Sequence, residues 1–232
     1  MKNIQRIGII GKRRSGRKTA AWLLAKVLEY IHENKPKEFI QHVFEDCVDR
    51  VIDEPEVAQS TRNYMLDSFG GYILDTIKGL FGTLREYPLE DPNWTQTHFI
   101  NTCTFEVEGE EADGVHLSVN DFIIAFADQV MKTSYGKDFW LYSYKNNSIP
   151  TNDTKIFWDV KTDTEKEYCE FIINLICPGR ETDGGYRKLS NTNADFTIDT
   201  RGGLKESFDQ FYNVALRLLD INFERDIVYE NK

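Results

Sequence analysis

Three features in immediate succession near the start of the chain constrain its fold most. They are a short apolar run, a glycine-bounded loop dense in positive charge, and a long amphipathic segment. Arg6-Ile7-Gly8-Ile9-Ile10 reads as a buried strand. From about Lys18 to His32 the apolar residues Ala20, Leu23, Leu24, Val27, Leu28 and Ile31 recur at helical spacing, and Lys35-Pro36-Lys37 stops the pattern. Between them lies Gly11-Lys12-Arg13-Arg14-Ser15-Gly16-Arg17-Lys18-Thr19. In a strand–glycine loop–helix context the backbone can curl so that successive N–H groups face an anion, with the partial positive charge of the helix N-terminus behind them. In the strict phosphate-loop pattern a lysine after the second glycine reaches the terminal phosphates, and the next Ser/Thr holds magnesium. Here Arg17 follows the second glycine, and Lys18-Thr19 comes one residue late. The sequence predicts a phosphate loop over 11–19; the competing reading is a tight strand–helix turn that binds nothing.

Charge sharpens that expectation. The chain of 232 residues carries a net charge of −10, which argues against a general nucleic-acid coat. Yet Lys12, Arg13, Arg14, Arg17 and Lys18 crowd together, as suits a small, highly charged ligand held locally; a solvated basic loop is the alternative. The length fits one α/β domain with a helical insertion better than two independent domains. No apolar run approaches the length of a membrane span, and the opening residues do not read as a secretory signal, so a cytoplasmic protein is expected. Cys47, Cys103, Cys169 and Cys177 form no C-x-x-C pair and suit no zinc module, so reduced, mostly buried thiols are expected.

The rest of the chain alternates elements. Residues 37–68 are polar and read as helical, and 69–82 as another helix carrying Ile73, Leu74, Ile77, Leu80 and Phe81. A loop follows at 83–98, a strand at 99–107, a turn at 108–114, and a helix from Val119 to Lys132 capped by Ser118. Strands are expected at Thr154–Trp158, Phe171–Cys177 and Asp195–Asp199, with a short helix at 163–169, a polar loop at 178–193 and a final helix from about Leu204 to Leu219. Strands alternating with helices imply a mainly parallel sheet covered on both sides, with ligands at the carboxyl ends of its strands.

The chain resembles the bacteriophage deoxynucleoside monophosphate kinases within the P-loop kinase superfamily. Their loops commonly read Gly-x-x-x-x-Gly-Lys-Asp-Thr, and Gly11, Gly16 and Thr19 match in register, with Arg17 and Lys18 at the Lys and Asp positions. Ser68-Phe69-Gly70, Lys78 and Leu80-Phe81-Gly82 are similar to the family's substrate-side helix. The stretch from Leu117 to Phe122, with Asn120 at an arginine position, then Lys132 and the run from Tyr135 to Trp140, resembles a further family block. Asp159-Val160-Lys161 with Glu165 resembles its D-V-R-x-x-x-E segment, and residues 193–199 its terminal strand.

The resemblance implies a three-layer P-loop kinase fold over 1–232, with 37–150 as a helical acceptor-side region. It also implies ATP-dependent phosphorylation of a deoxynucleoside monophosphate with Mg2+, and a phage or mobile-element origin, hence the host cytoplasm. Arg17 or Lys18 would hold the ATP phosphates with the N–H groups of 11–19, and Thr19 would ligate magnesium. Asp159, at a strand end, would serve as the metal-side (Walker B) carboxylate, or else cap the next helix. Lys78, Lys132 and Lys161 are candidates for the acceptor phosphate, or solvated lysines. Phe69 and Trp140 are candidates for the base pocket, or core. Arg180 and Arg187 would contact adenine or phosphate, or lie on the surface. A homodimer is left open. The three altered positions also support a second reading, a kinase-fold homologue that binds or builds without catalysing.

Overall fold

A computed structural model describes residues 4–12, 15–53, 61–69, 104–107, 115–118, 132–136, 138–148, 151–177 and 194–230. The chain divides into two compact units, Met1–Phe69 with Ile149–Lys232, and Gly70–Ser148.

The first unit is built on five strands: β1 (Arg6–Gly11), β2 (Tyr64–Asp67), β5 (Thr154–Phe157), β6 (Phe171–Ile176) and β7 (Phe196–Asp199). They form one sheet in the order β2-β5-β1-β6-β7, every neighbouring pair parallel. Its helices are α1 (Arg17–His32), α2 (Lys37–Asp53), α5 (Asp163–Tyr168) and α6 (Phe208–Glu230), the last preceded by a 3-10 turn at Lys205–Ser207. The chain is therefore an α/β protein. The second unit contains a two-stranded antiparallel pair, β3 (Thr104–Val107) and β4 (Val115–Ser118), and the helices α3 (Lys132–Tyr135) and α4 (Phe139–Asn147). Trp140, Leu141 and Tyr144 are its buried side chains on α4.

Strand alternation sorts the sheet's two faces. Ile7 and Ile9 of β1 and Ile156 of β5 join Leu23, Leu24, Leu28, Phe44, Phe211 and Leu218 in one apolar core, so α1, α2 and α6 share a face. The alternate residues Gly8 and Phe157 look the other way. A Cβ on Gly8 would meet Val160, Cys169 and Ile172, and Phe157 stacks on Phe69 with Tyr168 of α5 edge-on. Helix α1 is buried far round its circumference. Ala20, Ala21, Leu23, Leu24, Ala25, Val27 and Leu28 are each at most 1% exposed. Burying each of its leucines contributes roughly 1.5–3 kcal/mol.

Residues 37–68, read above as helical, hold α2 but end in strand β2. The polar sequence there carries little strand signal. Pairing with β5 makes the strand, through Tyr64↔Thr154, Met65↔Lys155, Leu66↔Ile156 and Asp67↔Phe157, a tertiary effect that overrides local propensity. Helix α4 and strand β4 were likewise not anticipated; β4 holds Ser118, expected above as a helix cap. The helices expected at 69–82 and 119–132 lie outside the described residues, except for Phe69, which lies in a turn after β2, and Lys132, which opens α3. Beyond 204 the order is a 3-10 turn and then a helix that continues past Leu219.

Candidate phosphate site at the carboxyl edge of the sheet

From β1 the chain runs to β2 on one side of the sheet; from β5 and β6 it steps toward the other. The connection leaving β1 thus runs opposite to those leaving both its neighbours. In open α/β sheets that reversal opens a crevice at the carboxyl ends of the strands. Gly11 and the Ser15–Gly16 step into α1 lie at that end of β1.

Gly11, the last residue of β1, pairs with Leu175 of β6. A Cβ there would lie 2.8 Å from the Leu175 carbonyl oxygen and 2.8 Å from Ser15 Oγ, so only glycine fits. The Ser15 N–H donates to the Lys12 carbonyl at 3.2 Å, closing a turn. Gly16 then takes a left-handed conformation (φ 81°, ψ 27°) and caps α1, its carbonyl accepting from Ala20 N–H at 2.8 Å. That φ costs a side-chain-bearing residue about 1–2 kcal/mol. Gly16 supplies no side-chain cap, and the first turn of α1 contains no acidic residue. Lys12 and Lys18 are exposed and Arg17 and Thr19 half-buried; Arg13 and Arg14 lie outside the described residues.

Two residues past β5, Asp159 is 2% exposed. Its Oδ2 accepts from the Ser68 hydroxyl at 2.6 Å and its Oδ1 from the Phe69 N–H at 2.9 Å. Lys161 Nζ lies 4.0 Å from Oδ2. Asp159 therefore ties the exit of β2 to the exit of β5. It does not cap α5: that is done by Thr162, whose hydroxyl accepts from Glu165 N–H at 3.2 Å while Glu165 Oε2 accepts from Thr162 N–H at 3.0 Å. The same Oε2 accepts from Lys161 N–H at 2.6 Å. Burial pushes the Glu165 carboxyl above its usual range, against these bonds, which lower it. Glu165 thus fixes the backbone on which Lys161 reaches Asp159.

Lys161 and Phe69 join Asp159 in this cluster. The Phe69 ring is 1% exposed and lies parallel to Phe157 at 4.3 Å, a core position. Trp140 is buried in the second unit, edge-on to Phe139. Lys78, Arg180 and Arg187 lie outside the described residues, as does the side chain of Lys132. Among the described residues Cys47, Cys169 and Cys177 form no disulfide; burial raises the thiols of Cys47 and Cys169, which keeps them protonated and inert. Two residues here have roles that were not anticipated above. Ser68 left no signal of its bond to Asp159, whereas Thr162-Asp163-Thr164-Glu165 is a legible capping box.

Among the described residues no group of His, Cys, Asp and Glu is arranged to hold a metal by itself. No described helix is long and apolar enough to cross a membrane. Neither known family models nor curated proteins match the chain.

Proposed function

We propose that the 11–19 loop binds the phosphates of ATP and that the chain transfers the terminal phosphoryl group to a deoxynucleoside monophosphate. The observation that carries this reading is the turn at β1. A left-handed Gly16 opens an uncapped helix in a cationic loop, at the strand where the connections reverse. Phosphoryl transfer asks a protein mainly for positioning and charge neutralisation. Loop N–H groups with Lys18 and Arg17 supply both at the donor. Lys161, held by Glu165 and Asp159, offers a cation at the neighbouring strand end for the acceptor's phosphate.

Magnesium fits this arrangement, because it takes only one or two protein ligands beside phosphate oxygens and water. Thr19 is the direct candidate. Asp159, buried two residues past the neighbouring strand, suits contact through water. When bound, the ion neutralises charge on the phosphates. The same geometry favours a second reading, a homologue that binds without catalysing. Asp159 is already engaged by protein donors, and the loop has Arg17 and Lys18 where the resembled family has Lys and Asp.

ADP release measured across the four common deoxynucleoside monophosphates with magnesium tests the proposal. Turnover is expected in the wild type and a larger loss in kcat than in ATP affinity in Lys18→Ala, on the order of 10²–10³ if a transition-state contact goes. A silent wild type whose activity appears in Arg17→Lys/Lys18→Asp overturns catalysis and leaves the binding reading.

A further inference from the structure

We infer that the Ser15 hydroxyl is itself a phosphate ligand, a side-chain donor set inside the turn beside the loop's N–H groups. The inference deepens the phosphate-loop reading and rests on it. Ser15 is 4% exposed, and its Oγ has no hydrogen-bond partner among the described residues. Buried hydroxyls are rarely left so, because the desolvation cost is not recovered without a partner. The turn explains where the group is aimed. The bond from Ser15 N–H to the Lys12 carbonyl folds residue 15 back, and its Oγ sits 2.8 Å from the place a Gly11 Cβ would take. The hydroxyl lies against Gly11 at the carboxyl end of β1, where any side chain at position 11 would collide with it.

The surroundings select the ligand. The next residue, Gly16, opens α1 with no side-chain cap and no carboxylate in the first turn, and Lys12, Arg17 and Lys18 add positive charge. A hydroxyl in that field donates best to an anionic oxygen, and a polyphosphate offers several on one small group. Ser15 then does what Thr19 does not. Thr19 lies in the first turn of the helix as the magnesium-side hydroxyl, whereas Ser15 lies within the turn as a donor to phosphate oxygen. A nucleotide and a free polyphosphate share this chemistry.

Calorimetric titration of wild type and Ser15→Ala with ATP and, separately, with tripolyphosphate tests the assignment, alongside thermal unfolding of both unliganded proteins. The expected result is a roughly tenfold or greater loss of affinity in Ser15→Ala for both probes, as for one hydrogen bond to a charged group. The unliganded variant should melt no lower than wild type, since its hydroxyl has no partner to lose. Loss for ATP but not for tripolyphosphate makes the partner a nucleoside group and overturns the phosphate assignment. Equal affinities in the two proteins overturn it, and so does a lower melting point of unliganded Ser15→Ala, which makes the hydroxyl structural. A wild type that binds neither probe defeats the phosphate loop itself, an outcome distinct from the failure of Ser15 alone.

Discussion

Replacing Ser68 by alanine should destabilise the first unit through a single contact. The Ser68 hydroxyl donates to Asp159 Oδ2 at 2.6 Å, and Asp159 is 2% exposed. A hydrogen bond to a charged group contributes about 1.5–3 kcal/mol. Removing the donor takes the 2.6 Å hydroxyl bond from a buried carboxylate, while Lys161 Nζ stands 4.0 Å from the same oxygen. For a chain of this size the expected fall in Tm is roughly 3–12 °C. Urea unfolding of Ser68→Ala, Asp159→Asn and the double variant gives the coupling directly, and about 1 kcal/mol or more between the two sites is expected. In Asp159→Asn the Phe69 N–H keeps an acceptor and the new amide N–H can donate to the Ser68 hydroxyl, so the cycle reads what the carboxylate charge adds to that bond. A Tm for Ser68→Ala within about 1 °C of wild type, or additive single effects, would refute the claim that this bond ties β2 to β5.

Two further outcomes are expected. Glu165 has a carboxyl raised by burial, so its contribution is fully present below the ordinary glutamate range and is lost as pH rises through the raised value. Both backbone bonds go to one oxygen, Oε2, which a glutamine carbonyl can replace. Glu165→Gln should therefore gain on wild type as pH climbs from about 4 to about 8, and a difference in unfolding free energy that is flat with pH would contradict the assignment. Lys18→Glu should stabilise the unliganded chain by about 1 kcal/mol at low ionic strength, because it puts a carboxylate near the N-terminus of α1. It should also abolish the rise in Tm that tripolyphosphate gives wild type, and retention of that rise would remove Lys18 from the site.

The strands and helices most legible in the sequence were those whose burial is local and periodic. Ile7, Ile9 and Ile10 announce β1 as a continuous apolar run buried on both faces, and Leu23, Leu24, Val27 and Leu28 announce α1 by their helical spacing. Strand β2 was illegible for the opposite reason. Met65 and Leu66 are only half-buried at the sheet edge, and their partners on β5 lie some ninety residues away. The loop was readable from Gly11, Gly16 and its charges. The Asp159 cluster was readable only in part. A carboxylate at a strand end invites a metal or a helix cap, while its actual donors, Ser68 and Phe69, come from a strand the sequence did not reveal. Thr162 could have removed the capping alternative earlier, since a Thr-x-x-Glu box competes directly for the N-terminus of α5.

The charge at the head of α1 conflicts with its local environment when no ligand is bound. A helix N-terminus carries partial positive charge and favours anions, each worth about 0.3–1 kcal/mol within the first turn. Here Arg17 and Lys18 occupy that turn, the turn itself holds no acidic residue, and Gly16 brings no capping oxygen. Just before it, Ser15 buries a hydroxyl that has no partner among the described residues. Each choice disfavours the unliganded fold: cations against a dipole, a helix end without a cap, a polar group without a bond. A sequence normally agrees with its fold at every level, and clustered violations mark functional sites. A bound polyanion addresses all three together, since it pairs with the cations, accepts from the helix N–H groups and takes the hydroxyl's proton as a hydrogen bond. A serine or aspartate at position 16 would add the capping oxygen but meet the cost of the left-handed φ that Gly16 takes there, so the turn and an ordinary side-chain cap compete for this position.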